Sequence, residues 1–177
     1  MRKDKHRPPH IYIDDTIYFI TAGTVNKAKY FDNDKKKGIL LDVINKACRK
    51  FLLDLIAWTI LDNHYHILTG IDIGEKVPKF VNNLNANSSR LLNQHDKCQG
   101  RKVWHQYFDR CIRQEEDYWT RFNYIHHNCV KHGYSDNMRD YKYSSYCQWI
   151  EDEGEEWMNN VLETYPVLDF TPEGEVE

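Results

Sequence analysis

The sequence has no C-x-x-C pair, and its five cysteines (Cys48, Cys98, Cys111, Cys129, Cys147) are scattered and odd in number. This spacing argues against a disulfide framework and against a cysteine-built zinc site, and it fits a reducing cytoplasm. No apolar run reaches the roughly 18 residues that a membrane-spanning helix needs. Nor is there a signal-like apolar region, because the basic start runs straight into Arg7, Pro8, Pro9 and His10. A soluble, intracellular protein is the expectation. Nothing repeats at a fixed period, and Lys and Arg are missing altogether beyond Ile150.

That last absence divides the charge. Residues 151–177 carry ten Asp or Glu and no base, a formal −10, while residues 1–150 hold 24 Lys or Arg against 17 acids, a formal +7. A basic body suits a polyanionic partner, since neutralising phosphates supplies most non-specific affinity for nucleic acid. With 177 residues, 41% of them apolar, and 12 Tyr, 7 Phe and 5 Trp, the chain can close one well-filled core. One catalytic domain is expected over residues 1–150, with a basic arm at 1–10, followed by an acidic tail at 151–177. Trp157, Met158, Val161 and Leu162 stand among the tail's acids, a pattern suited to docking a short helix.

Residues 16–25 are rich in β-branched and aromatic types and predict a first strand. Leu40, Val43, Ile44, Ala47 and Phe51 then follow helical spacing after Asp32, Asn33 and Asp34, which are candidate caps. Leu53–Leu61 and Tyr65–Ile71 predict two strands joined at the turn-prone Asp62 and Asn63, a hairpin candidate. Val77, Phe80, Val81, Leu84, Ser88, Leu91 and Leu92 trace one face of a second helix, and Asn82, Asn83, Asn85, Asn87 and Arg90 trace a polar one. Strand character returns over Val103–Ile112, and a third helix is predicted from Gln114 to Lys131, ended by Gly133. Strand, helix, strand, strand, helix, strand is the split βαβ order of an α+β, ferredoxin-like antiparallel sheet with helices on one face, here with a further C-terminal helix appended.

Two constellations carry chemistry. In DNHYHIL, strand alternation puts His64 and His66 on one side, roughly 6.5 to 7 Å apart along the chain, with Tyr65 facing the other way. Two imidazoles so placed can share a metal. An isolated H-x-H more often just edges a partly wet sheet face. On the third helix, Tyr118, Phe122, Ile125 and Cys129 form an apolar stripe, while Arg121, Tyr124, Asn128 and Lys131 share a neighbouring face. An amide oxygen can ligate a hard metal ion, and a phenol one turn away can reach that ion's substrate. Without the histidines, an ordinary solvated face is the simpler reading.

Taken together, these strings resemble a family. LDNHYHILTG is similar to the H-x-H block of HUH enzymes. VWHQYFDRCI followed by YWTRFNYIHHNCVKHGY looks like their strand leading into the tyrosine helix, and YKYSSY resembles a block that closes many REP-associated tyrosine transposases. The likeness spans roughly residues 12 to 149, with its blocks in family order.

The resemblance implies His64 and His66 as metal ligands, Asn128 as a third ligand and Tyr124 as the nucleophile. Cys129 stands where the family commonly has proline, which leaves the local bend of the helix open. His126 and His127 are further imidazoles that could approach the ion.

The implied activity is metal-dependent cleavage and transfer of single-stranded or hairpin DNA through a 5′-phosphotyrosine, using Mg²⁺ or Mn²⁺ and no nucleotide cofactor. The resemblance also implies a cytoplasmic bacterial protein that forms a homodimer. Arg121, Lys131 and the arm residues Arg2, Lys3, Lys5 and Arg7 are candidate DNA contacts. The main rival is a hairpin-binding protein of the same fold without cleavage. A histidine-triad hydrolase would need a histidine where Leu68 stands, and a structural zinc protein would need a Cys/His quartet that the spacing does not supply.

Overall fold

The computed structural model describes residues 13–168. The basic arm with Arg2, Lys3, Lys5 and Arg7 therefore lies outside the described residues, as does the end of the acidic tail. In chain order the elements are β1 (Thr16–Thr24), a short 3-10 turn (Val25–Lys27), α1 (Asp34–Phe51), β2 (Asp54–Ile60), β3 (His64–Ile71), α2 (Lys76–Asp96), β4 (Trp104–Ile112), α3 (Glu115–Lys131), α4 (Tyr146–Glu153) and α5 (Glu155–Thr164). The strands make one antiparallel sheet in the order β2-β3-β1-β4. This is the ferredoxin-like arrangement that the order of elements predicts.

Strand alternation divides the apolar residues between two cores. Tyr18, Ile20 and Ala22 of β1 join Tyr65 and Ile67 of β3 against α1 and α2, which contribute Leu40, Ile44, Phe80 and Leu84. Phe19, Ala57 and Leu68 point to the opposite face, where Phe122 and Ile125 of α3 cover them. The appended helix thus closes the face that α1 and α2 leave open. Asn33 caps α1, its side chain accepting from the Lys36 N–H at 3.1 Å.

The β2–β3 hairpin closes through Leu61 N–H donating to the His64 carbonyl at 2.9 Å. Neither Asp62 nor Asn63 is left-handed; their side chains hold the tip instead. Asp62 takes a buried ion pair from Lys37 at 2.6 Å. The YKYSSY segment has a mechanical role at the free edge of β2. Ile60 N–H donates to the Tyr143 carbonyl at 2.9 Å, Ser145 N–H to the Trp58 carbonyl at 3.0 Å, and Thr59 bridges to Ser144. These bonds use up edge groups that would otherwise pair with another strand.

The domain boundary expected at residue 150 falls inside α4. Met158 and Val161 of α5 are buried in the second core beside Phe122, and Trp149 stacks on Trp157 with ring centroids 5.6 Å apart. Asn123 of α3 donates to the carbonyls of Val161 at 3.1 Å and Tyr165 at 2.7 Å, tying down the end of α5. The acidic segment up to Thr164 is therefore part of the packed domain, its acids turned outward and its apolar residues inward. Among the described residues, no helix is long and apolar enough to cross a membrane.

Candidate active site

His64 and His66 open β3 on the face that α3 covers. Tyr65 between them points into the other core, where its hydroxyl donates to Asn85 Oδ1 at 3.0 Å. The histidine rings lie 5.0 Å apart, centroid to centroid. Opposite them on α3 stand Tyr124, whose ring is 5.3 Å from that of His66, and Asn128, whose Oδ1 is 3.1 Å from His64 Nε2. One chain brings all four residues together. Tyr124 and Asn128 are buried, because their helix face lies over the sheet rather than in solvent.

The surroundings fix this geometry. Phe19 of β1 stacks on His66 at 5.5 Å and meets Tyr124 edge-on at 6.2 Å. Gly23 pairs with His64 across the β1–β3 register, and a Cβ there would meet only the Asn63 carbonyl, at 4.0 Å. The sheet is therefore open beside His64. Lys131 Nζ lies 5.4 Å from the Tyr124 ring centroid.

Burial, with lesser repulsion from His132 and Lys131, brings His64 down to about 4. Burial, reinforced by His64 and His132, holds His66 well below the usual histidine range. Both imidazoles are neutral at pH 7 and offer lone pairs.

Some sequence expectations change. Arg121 is only 4% exposed; Asp117, one turn earlier, takes its Nε–H at 2.8 Å, and its guanidinium sits 4.9 Å over Phe19. Its charge is thus held inside the site's wall, and the expected direct contact with a DNA backbone is corrected to an internal one. His126 turns away from the histidine pair, its Nε2 2.8 Å from Ser145 Oγ. On α2, Asn85 is occupied by Tyr65, and Asn87 donates to the Asn83 carbonyl at 2.8 Å, so part of that polar face serves the fold. Cys129 leaves α3 unbroken: the helix runs to Lys131 and ends through Gly133 at φ +69°, with Tyr134 N–H donating to the Cys129 carbonyl at 2.8 Å.

One neighbour was not anticipated. His132, exposed at the C-terminal end of α3, has its ring 5.0 Å from that of His64. Its spacing gives the signal in hindsight, since 124, 128 and 132 recur every four residues on one helix face.

The donor set fits a divalent cation. Both His66 ring nitrogens are buried without a geometrically formed hydrogen bond, so the lone pair of the neutral ring is left unsatisfied, a cost that a bound cation would remove. Among the described residues, no group of three or more His, Cys, Asp or Glu converges as a metal site. The set is two imidazoles and an amide oxygen, with sheet-side space left by Gly23.

An antiparallel sheet that presents an H-x-H pair to a helix bearing a tyrosine, with an amide one turn on, defines the HUH single-tyrosine class. The family of IS200-like transposases matches residues 13–128, more than half of the chain, and the chain belongs to that family. It is 23% identical over 137 residues to the REP-associated tyrosine transposase of Escherichia coli K12, covering 76% of this chain and 79% of that protein. A Haemophilus influenzae protein provisionally named for the same group is 27% identical over 146 residues, covering 72% of this chain and 83% of the relative. The fold superposes on a REP-associated tyrosine transposase solved bound to a REP hairpin, with a TM-score of 0.71, 19% identity, and coverage of 94% of this chain and 96% of the other.

Proposed function

We propose that this chain is a metal-dependent, single-stranded DNA endonuclease and strand transferase that cuts beside DNA hairpins through a 5′-phosphotyrosine. The observation that carries this reading is the buried Tyr124 ring packed 5.3 Å from His66, with His64 and the Asn128 amide oxygen beside it. His64, His66 and Asn128 would hold Mg²⁺ or Mn²⁺, which when bound supplies Lewis-acid withdrawal of charge from the scissile phosphate.

The chain's own residues do the rest. Tyr124 Oη attacks phosphorus and sheds its proton, forming the tyrosyl–phosphate bond as the bond from phosphorus to the 3′ oxygen breaks. The departing 3′ oxygen takes up a proton and becomes a free hydroxyl. Lys131, with its ammonium 5.4 Å from the phenol ring, favours the developing phenolate. Arg121, locked by Asp117, adds fixed positive potential one turn away. Phosphodiester energy is kept in the phosphotyrosine, so the reaction can reverse onto another 3′ end without a nucleotide cofactor. The hairpin-bound structural neighbour and the formal +7 of residues 1–150 support hairpin DNA as the partner. One chain supplies all four site residues, so a homodimer would carry two such sites.

The test is to incubate the protein with labelled, hairpin-bearing single strands and Mn²⁺ or Mg²⁺, then look for an adduct stable to denaturation. Wild type should form one, whereas Tyr124→Phe should bind the DNA and form none. Binding without any adduct in wild type would leave the rival reading, a hairpin-binding protein of the same fold. An undiminished adduct in Tyr124→Phe would move the nucleophile elsewhere.

A further inference from the structure

We infer that Asn63 is a positioning residue that sets the proton of His64 on Nδ1 and so makes Nε2 the atom offered to the metal. This rests on the metal-dependent reading above. The Asn63 side chain bridges two groups: its Nδ2 donates to the Lys27 carbonyl at 3.3 Å, and its Oδ1 lies 2.7 Å from His64 Nδ1. Its backbone carbonyl also accepts from Thr24 N–H at 2.8 Å.

With the amide N–H turned to Lys27, only the oxygen faces the imidazole. Amide oxygens carry no proton, and His64 meets one on each side, Asn63 Oδ1 at 2.7 Å from Nδ1 and Asn128 Oδ1 at 3.1 Å from Nε2, so the shorter contact places the single proton of the neutral ring on Nδ1. A neutral imidazole has one such proton, which leaves Nε2 as a bare lone pair. That lone pair faces Asn128 Oδ1, another acceptor, at 3.1 Å, beside the unpartnered nitrogens of His66. Acceptors facing one another in a buried pocket are stabilised by a cation between them, and an outer group that fixes the ligand's tautomer is a recurrent way to prepare such a site.

The turn after β1 supplies the anchor. Asn26 and Lys27 both lie at φ +53°, a left-handed pair of non-glycine residues that aims the Lys27 carbonyl at Asn63. Thr24 Oγ1, donating to the Ala28 carbonyl at 2.7 Å, braces the same turn. Asn63 thus ties the loop after β1 to the first histidine of β3, beyond what its place in a hairpin turn requires.

The inference is tested with full-length protein labelled with ¹⁵N-histidine. Long-range ¹H–¹⁵N correlation spectra read the His64 tautomer, Mn²⁺ titration followed by electron paramagnetic resonance reads metal affinity, and metal-free hairpin binding reports the integrity of fold and DNA surface. Wild type should show His64 protonated on Nδ1. Asn63→Ala should give mixed tautomers and bind Mn²⁺ about 10- to 100-fold more weakly, with metal-free hairpin binding unchanged.

Asn63→Asp keeps the acceptor but loses the bond to Lys27, and it should restore the Nδ1–H tautomer and Mn²⁺ affinity. Wild-type His64 protonated on Nε2 would overturn the inference even if Asn63→Ala failed to fold. Wild-type Mn²⁺ affinity and tautomer in a folded Asn63→Ala protein would overturn it alone, whereas a wild type that bound no Mn²⁺ would remove the metal reading and this inference with it.

Discussion

Acid should destabilise this fold before its carboxylates titrate, because three histidines are buried in neutral form. Burial brings His126 down to about 3 and His64 to about 4, and holds His66 well below the usual range near 6.5. A histidine whose folded pKa lies below its unfolded value contributes nothing pH-dependent above about 6.5, where both states are neutral. Below that pH the unfolded chain takes up a proton that the folded chain refuses, so stability falls until the folded pKa is reached. At pH 5.5 the loss is on the order of 1 kcal/mol for each of His64 and His126, and His66 adds to it in the same direction, against a total stability on the order of 5 to 15 kcal/mol for domains in general.

His126 isolates one share of this loss, since it lies against Ser145, Phe122 and Tyr146 rather than in the metal pocket. His126→Leu should cost about 1 kcal/mol at pH 7.5 through its lost hydrogen bond. Its further decline between pH 7.5 and 5.5 should be smaller than that of wild type by on the order of 1 kcal/mol. Urea unfolding followed by circular dichroism at both pH values measures the difference. Equal declines in the two proteins would refute the assignment of His126 as a buried neutral group.

Other perturbations test the remaining structure. Gly23→Leu should fill the open sheet surface beside His64 and lower metal affinity and adduct yield without changing the unfolding midpoint; an unaltered Mn²⁺ titration would show that this space is not used. Lys37→Met leaves Asp62 a buried, unpaired carboxylate and should cost about 3 to 5 kcal/mol in denaturant unfolding, with a loss below 1 kcal/mol counting against a buried pair. Met158→Ala should cost about 2 to 5 kcal/mol, and ending the chain at Ile150 should expose the second core and raise binding of an apolar dye. A truncated chain with wild-type stability would return the boundary to residue 150.

Much of the site could be read from local spacing. The H-x-H of His64 and His66 follows from strand alternation, and Tyr124 with Asn128 follows from one helical turn, so their common faces hold whatever packs around them. Periodicity could not tell which faces meet. The side of α3 bearing Arg121, Tyr124 and Asn128 reads as solvated because its residues are polar, yet the sheet covers it, while α5 covers Asn123 on another side. A helix packed against two partners presents two buried faces, and a sequence pattern built on a single apolar stripe finds only one of them.

The same distinction accounts for the other departures. Charge marked residue 150 as a boundary because ten acids follow it, but acids can line the outer face of a helix whose inner face carries Met158 and Val161. YKYSSY has no periodicity of its own, and its work at the β2 edge depends on a strand more than eighty residues earlier. The sequence by itself determined the order of elements, the pair of histidines on one strand face, and the tyrosine and amide on one helix face, because each of these depends on backbone geometry between near neighbours. Only the tertiary structure decided that those two faces oppose each other within one chain, that Asn63 holds His64 from behind, that His132 stands at the rim and that Arg121 is locked inward, because each is a contact between segments whose approach is set by the packing of the whole sheet.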